Sequence, residues 1–175
     1  ILGPHLKTLF DRAFIEGLHK PQLRPTGDDW VTALMHTVDL LQPCSNPSCV
    51  QKWYVFDNTT KPRCPFCGTP YAGTLPVLNL YSSYGKGTFK PENRRLMVYS
   101  NQYLFLWHVN RHIFNNERLT EDQKKPVGYF SFHNGKWMFV NQQLATLKDV
   151  TANKSIPIGS ALELVDGQQI LLSPE

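Results

Sequence analysis

The sequence predicts an α+β, mostly β chain in three parts: a helical hairpin (residues 1–43), a cysteine-rich ribbon (44–72) and a C-terminal β-sandwich (73–175). Three observations predict it. Apolar residues recur at helical spacing near the start, four cysteines fall into two close pairs, and short β-rich runs separated by turn dipeptides follow from about residue 74.

In the first part Leu6, Leu9, Phe10, Ala13, Phe14 and Leu18 form one apolar stripe at i, i+3, i+4, i+7, i+8 and i+12. Gly17 weakens that helix and Pro21 ends it. Thr26 is a good N-cap, and Asp28 and Asp29 favour the dipole of a second helix. Trp30, Ala33, Leu34, Val38 and Leu41 share a face of that helix, and Pro43 closes it. Two helices bury little alone, so the hairpin is expected to lean on another surface.

The middle part reads Cys44-x4-Cys49, fourteen residues, then Cys64-Pro65-Phe66-Cys67-Gly68. Residues 53–56 are a strand candidate and 57–60 its turn. Zinc takes four tetrahedral ligands, and thiolates on two tight turns deliver them in pairs, with Gly68 relieving the second turn. Two disulfides or four free buried thiols are the alternatives; the spacing favours structural zinc held by Cys44, Cys49, Cys64 and Cys67. Such a site is closed, with no position for a reactive water, so it is read as non-catalytic. Four cysteines in metal-type spacing also suit a reducing cytoplasm.

The β candidates are residues 96–99, 103–109, 127–133, 137–140, 161–165 and 169–172. Asn101-Gln102, Asn134-Gly135 and Asp166-Gly167 mark turns, the last two as hairpin dipeptides. The chain has 175 residues, 41% hydrophobic and 18% charged, with formal charge +4. That balance permits nucleic-acid contact without demanding it; Lys86, Lys90, Arg94 and Arg95 are the nearest approach to a basic cluster. No run of 18 apolar residues appears, so no membrane span is expected. The start, Ile1-Leu2-Gly3-Pro4-His5, reads as a cut from a longer chain.

Residues 9–14 (Leu-Phe-Asp-Arg-Ala-Phe), then Arg24-Pro25-Thr26 and Trp30, resemble the last helices of a protein kinase C-lobe. The glycine-rich loop, the nucleotide-binding Lys, the catalytic Asp and the metal-binding Asp of that family are missing, so the fragment is not expected to be an enzyme. With the ribbon and the β part, the whole resembles the C-terminal region of a bacterial serine/threonine kinase of the tellurite-resistance (TerY-type) phosphorylation triad. That resemblance implies an interaction region recruiting the kinase to a von Willebrand factor A protein, with a phosphatase of the same triad as a further partner.

The β part is similar to a forkhead-associated (FHA) sandwich. The similarity rests on residues 127–130, Gly135-Lys136-Trp137, residues 156–159 and the ending Leu164-Val165-Asp166-Gly167-Gln168-Gln169-Ile170. Arg111 falls where the family's phosphate-binding Arg would stand. The family's Ser-x-x-His turn is absent, and Asn141-Gln142-Gln143 replaces its Asn-Gly, so phosphothreonine recognition is not expected.

Other residues are less specific. His108 and His112 sit four apart with no third ligand, which suits packing or surface roles. Tyr81, Tyr84, Lys86 and Phe89 mix aromatics and cations, as single-strand binders do, and read more simply as a flexible connection between strands. The loop 115–122 carries Glu117, Glu121 and Asp122. Such a loop is ordinarily a solvated turn. Opposite a von Willebrand A partner, one of these carboxylates can complete the coordination of a partner-held Mg2+, and Glu117 is the first choice. A nucleic-acid-binding ribbon in a stress or DNA-damage response is the alternative function.

Overall fold

The computed structural model describes residues 2–56, 62–85 and 87–174. They form helices and several small antiparallel sheets, with no closed barrel. The chain divides into two compact units, Ile1–Leu80 with Asn93–Met97, and Tyr81–Glu92 with Val98–Glu175.

In the first unit, α1 (Gly3–Asp11) runs on into a wider π turn over Arg12–Glu16. Gly17 closes it by donating to Arg12 O at 2.8 Å, and a Cβ here would lie 2.7 Å from both Arg12 O and the Arg24 side chain. Arg24 covers the orphan carbonyls of this helix end, donating to Gly17 O at 2.8 Å and Leu18 O at 3.0 Å. The second helix, α2 (Gly27–Val38), starts where Thr26 predicts it. Asp29 N–H donates to Thr26 Oγ1, and Asp29 Oδ2 accepts from Thr26 N–H, a reciprocal capping box. Those bonds, the Thr26 amide foremost, hold the Asp29 carboxyl below its ordinary value.

One expectation for the hairpin is corrected. Leu41 does not extend α2: the helix stops at Val38, and Leu41–Pro43 forms strand β1. The apolar stripe is covered only in part. Leu9 and Ala33 are covered, whereas Phe14, Ile15, Leu18, Leu34 and Val38 are 51–72% exposed.

Strand β1 pairs antiparallel with β2 (Trp53–Val55), Gln42 opposite Tyr54. β3 (Val77–Ser83) and β4 (Phe89–Met97) make a two-stranded sheet. Pro91 is tolerated in β4 because a two-stranded sheet has only edges. Arg94, named above in the nearest approach to a basic cluster, is buried and bonded through Nε to Asp39 Oδ2 at 2.7 Å. Asp39 O also accepts from Met97 N–H at 2.8 Å, so the end of β4 is tied to the end of α2.

In the second unit, β5 (Tyr103–Phe105), β6 (Pro126–His133), β7 (Lys136–Asn141) and β10 (Ala161–Glu163) form one sheet in the order β10-β7-β6-β5. β8 (Lys148–Asp149), β9 (Lys154–Ser155) and β11 (Ile170–Leu171) form another, ordered β11-β8-β9. Asn134-Gly135 is the predicted two-residue turn, both residues at positive φ (49° and 77°) between His133 and Lys136. Gly128 is required by packing: a Cβ there would lie 2.4 Å from the Phe139 ring. Asp166-Gly167 is a turn but not a hairpin, because β10 pairs with β7 and β11 with β8. The strand expected over 103–109 stops at Phe105. There the Phe105 N–H donates to His108 Nδ1 at 3.0 Å and the chain turns into α3 (Leu106–Val109).

Candidate metal centre

Two short turns deliver the sulfurs. The first connects β1 to β2. Cys44 N–H donates to Lys52 O at 2.7 Å and closes that loop, in which Lys52 takes the left-handed conformation (φ 50°). Asn46 shapes it from inside: its side chain accepts from Ser48 N–H, its carbonyl accepts from Cys49 N–H, and its own amide donates to Cys44 Sγ at 3.4 Å. The second turn follows the bridge between Arg63 and Pro70. Cys64 O accepts from Gly68 N–H at 2.9 Å, and Gly68 has φ 74°, the conformation that a residue with a Cβ resists. The turn expected over 57–60 lies outside the described residues, as do Lys61 and Lys86.

All four Sγ atoms, of Cys44, Cys49, Cys64 and Cys67, lie within 4.8 Å of one another, and none is in a disulfide. Cys44 and Cys67 sulfurs are 3.5 Å apart, Cys49 and Cys64 sulfurs 3.9 Å. A regular tetrahedron of thiolates about 2.3 Å from a central ion has edges of about 3.8 Å. Those two separations bracket that edge and the others lie within 4.8 Å, so the cluster is placed to hold one metal ion with four sulfur ligands. Among the described residues no other group of three or more His, Cys, Asp or Glu side chains is placed to hold a metal.

Cys49 and Cys64 are buried with Leu40, Tyr54, Phe56 and Met97, and Leu75 and Val77 pack against that cluster. Cys44 is half-buried and Cys67 exposed. Burial, with the nearby sulfurs adding to it, pushes the Tyr54 hydroxyl up to about 12. The sulfurs themselves are pulled apart. The Thr69 hydroxyl, 3.2 Å from Cys67 Sγ, and then the Thr69 amide hold Cys67 down to about 6. At Cys44 the Asn46 amide acts downward and is the largest single influence. Burial and the three neighbouring sulfurs together outweigh it and push Cys44 up to about 12. One thiolate is thus stabilised and opposes the next, and a dication at the centre reverses that opposition.

The remaining residues singled out from the sequence are dispersed. Glu117 is exposed within a turn in which Asn116 Oδ1 accepts from Arg118 N–H. Among the described residues it has no ion-pair partner, whereas Glu121 pairs with Lys124 and Asp122 with Lys125. The paired lysines hold both of those carboxyls below their ordinary values. Arg111 stacks on the Tyr84 ring, 4.5 Å from guanidinium carbon to ring centre, and Lys90 lies 5.3 Å from the same ring. His108 is occupied by the Phe105 amide, and His112 Nε2 accepts from Arg111 Nε. Asn141 is fully buried and structural, donating to Leu144 O and Ile156 O and accepting from Leu144 N–H.

Sequence reasoning missed Asn46, Thr69 and the Asp39–Arg94 pair. Thr69 carried a signal, since a hydroxyl two positions after a cysteine can reach its sulfur, whereas Asn46 uses the backbone amide that any non-proline residue supplies. The pair joins residues 55 apart and carried none. No helix among the described residues is long and apolar enough to cross a membrane. Neither family models, nor curated proteins, nor solved structures give a match to this chain.

Proposed function

We propose that this chain is a non-catalytic protein-interaction region stabilised by one structural zinc ion, and that it is the C-terminal region of a bacterial kinase acting in a reducing cytoplasm. The observation that carries the interaction reading is the exposed apolar stripe of the hairpin, from Phe14 and Ile15 to Leu34 and Val38. Exposed apolar side chains on both helices of the hairpin suit a face that another protein surface covers. Zinc is the metal we assign, since four thiolates in a closed tetrahedron suit it best. The second unit we read as an FHA-like scaffold. Its two antiparallel sheets support that reading, and the missing Ser-x-x-His turn argues for shape rather than phosphopeptide recognition.

Docking of a von Willebrand factor A partner through a partner-held Mg2+ is the specific form of this proposal, with Glu117 as the bridging carboxylate. Among the described residues Glu117 has no lysine to displace, while Glu121 and Asp122 must first break their pairs. Calorimetry with that partner in Mg2+ and then in EDTA tests it. Glu117→Gln is expected to weaken the complex tenfold or more, and Glu92→Gln, which removes a carboxylate bonded to Ser82, to leave it unchanged. Equal affinity in Mg2+ and EDTA would reject the bridge.

A second reading, single-stranded nucleic acid, is favoured by Arg111 and Lys90 over the exposed Tyr84 ring. Cations beside an aromatic face suit phosphates next to a stacked base. A gel shift at physiological salt separates the two, because nucleic-acid affinity falls steeply with added salt.

A further inference from the structure

We infer that Cys44 and Cys67 form an oxidation site at the rim of the metal cluster, where peroxide converts the pair to a disulfide and so discharges the metal. This rests on the metal-binding reading above.

The argument begins with an asymmetry among four chemically identical side chains. A bound dication keeps all four sulfurs as thiolates, the form that reacts with peroxide, so access decides which reacts first. Cys49 and Cys64 are 4% and 1% exposed and enclosed by Leu40, Tyr54, Phe56 and Met97. Cys67 is exposed, on a turn that also holds the exposed Phe66, and Cys44 is half-buried beside it. The Cys44 sulfur lies 3.5 Å from that of Cys67. The accessible thiolate therefore has its resolving partner within reach, and that partner comes from the other turn.

The chemistry balances with hydrogen peroxide as the oxidant. The Cys67 thiolate attacks one peroxide oxygen, the O–O bond breaks, hydroxide leaves, and sulfur is oxidised to the sulfenic acid. The Cys44 thiolate then attacks the Cys67 sulfur, an S–S bond forms, and a second hydroxide leaves. Each hydroxide takes a proton from solvent. One peroxide is reduced to two waters for each disulfide made. Cys49 and Cys64 remain as two thiolates in an apolar setting, too few to retain a four-coordinate ion. Because the disulfide ties the loop after β1 to the turn after residue 63, it leaves these two turns joined and reversible by thiol reductant.

The test uses the whole chain as purified, with its zinc content measured first by elemental analysis. Hydrogen peroxide is added in stoichiometric steps while a chromogenic chelator reads zinc release, and non-reducing peptide mapping by mass spectrometry locates the disulfide. The expected result is one zinc released per disulfide, with Cys44–Cys67 as the first and dominant pair, and recovery on adding dithiothreitol and zinc. A first disulfide between Cys49 and Cys64, a scrambled mixture, or sulfinic acid at Cys67 without a disulfide would overturn the inference. Chain purified without zinc would instead refute the metal reading, and the same mapping would still report whether Cys44 and Cys67 pair first. Cys49→Ser provides a second measurement. If it retains the fold by circular dichroism, peroxide must still give Cys44–Cys67, and loss of that pair would count against the assignment.

Discussion

Replacing Arg94 with methionine removes a cation that is 8% exposed and leaves behind Asp39, 4% exposed, whose Oδ2 it contacted at 2.7 Å. Methionine fills similar volume, so the loss is electrostatic rather than a cavity. Breaking a buried pair by removing one member costs about 3–5 kcal/mol, because the charge left behind is desolvated without compensation. In a unit of roughly 60–100 residues each kcal/mol moves the melting temperature about 4–8 °C, so a fall of at least about 12 °C is expected. The metal core is expected to loosen with it. Asp39 O holds Met97 N–H, and the next residue, Leu40, holds Phe56 N–H through its carbonyl, both at 2.8 Å. The assay is thermal unfolding with excess metal for Arg94→Met, Asp39→Asn and the double variant. The double variant is expected to recover much of the loss, since it also removes the buried carboxylate that Arg94 faced. An Arg94→Met melting temperature within about 2 °C of the parent, or strictly additive single effects, would refute the reasoning.

Three other outcomes are expected. Asn141→Ala orphans the buried Leu144 amide and two carbonyls, and should cost about 1–3 kcal/mol for the amide alone, read as a lower urea midpoint at unchanged slope. Asp149 accepts from Ala152 N–H and Gln168 Nε2, and those bonds, the Ala152 amide first, hold its carboxyl below the ordinary value against the effect of burial. A depressed folded pKa means the stabilisation is complete above the unfolded value of about 3.9 and is lost as pH falls through the folded one. Acid titration of unfolding should therefore show a steeper loss below about pH 4 in the parent than in Asp149→Asn. Phosphothreonine peptides should bind no better than their unphosphorylated forms, and a peptide array giving Arg111-dependent micromolar binding would overturn that expectation.

What could be read from the residues alone follows a physical divide. Local signals held: Thr26 caps α2, Asn134-Gly135 takes the two positive φ values its turn requires, and the paired cysteine spacing brings four sulfurs together. Each is settled within a few residues by backbone sterics or by ligand geometry. Signals that needed tertiary partners were misread. Leu41 completes a helical stripe by spacing, yet pairing with Val55 takes it into a strand. Residues 106–109 are β-rich by composition, yet one bond from the Phe105 amide to His108 turns them helical. Arg94 counts toward the nearest approach to a basic cluster, yet it is buried against Asp39. Asp166-Gly167 makes its turn, but strand partners elsewhere decide that it closes no hairpin.

The claim on which the rest depends is that Cys44, Cys49, Cys64 and Cys67 hold one zinc ion. Elemental analysis of chain purified without chelators, set against protein concentration, tests it most directly. The account predicts one zinc per chain, lost in Cys64→Ser together with the order of the cysteine segment. Absence of stoichiometric zinc from well-folded protein would contradict it.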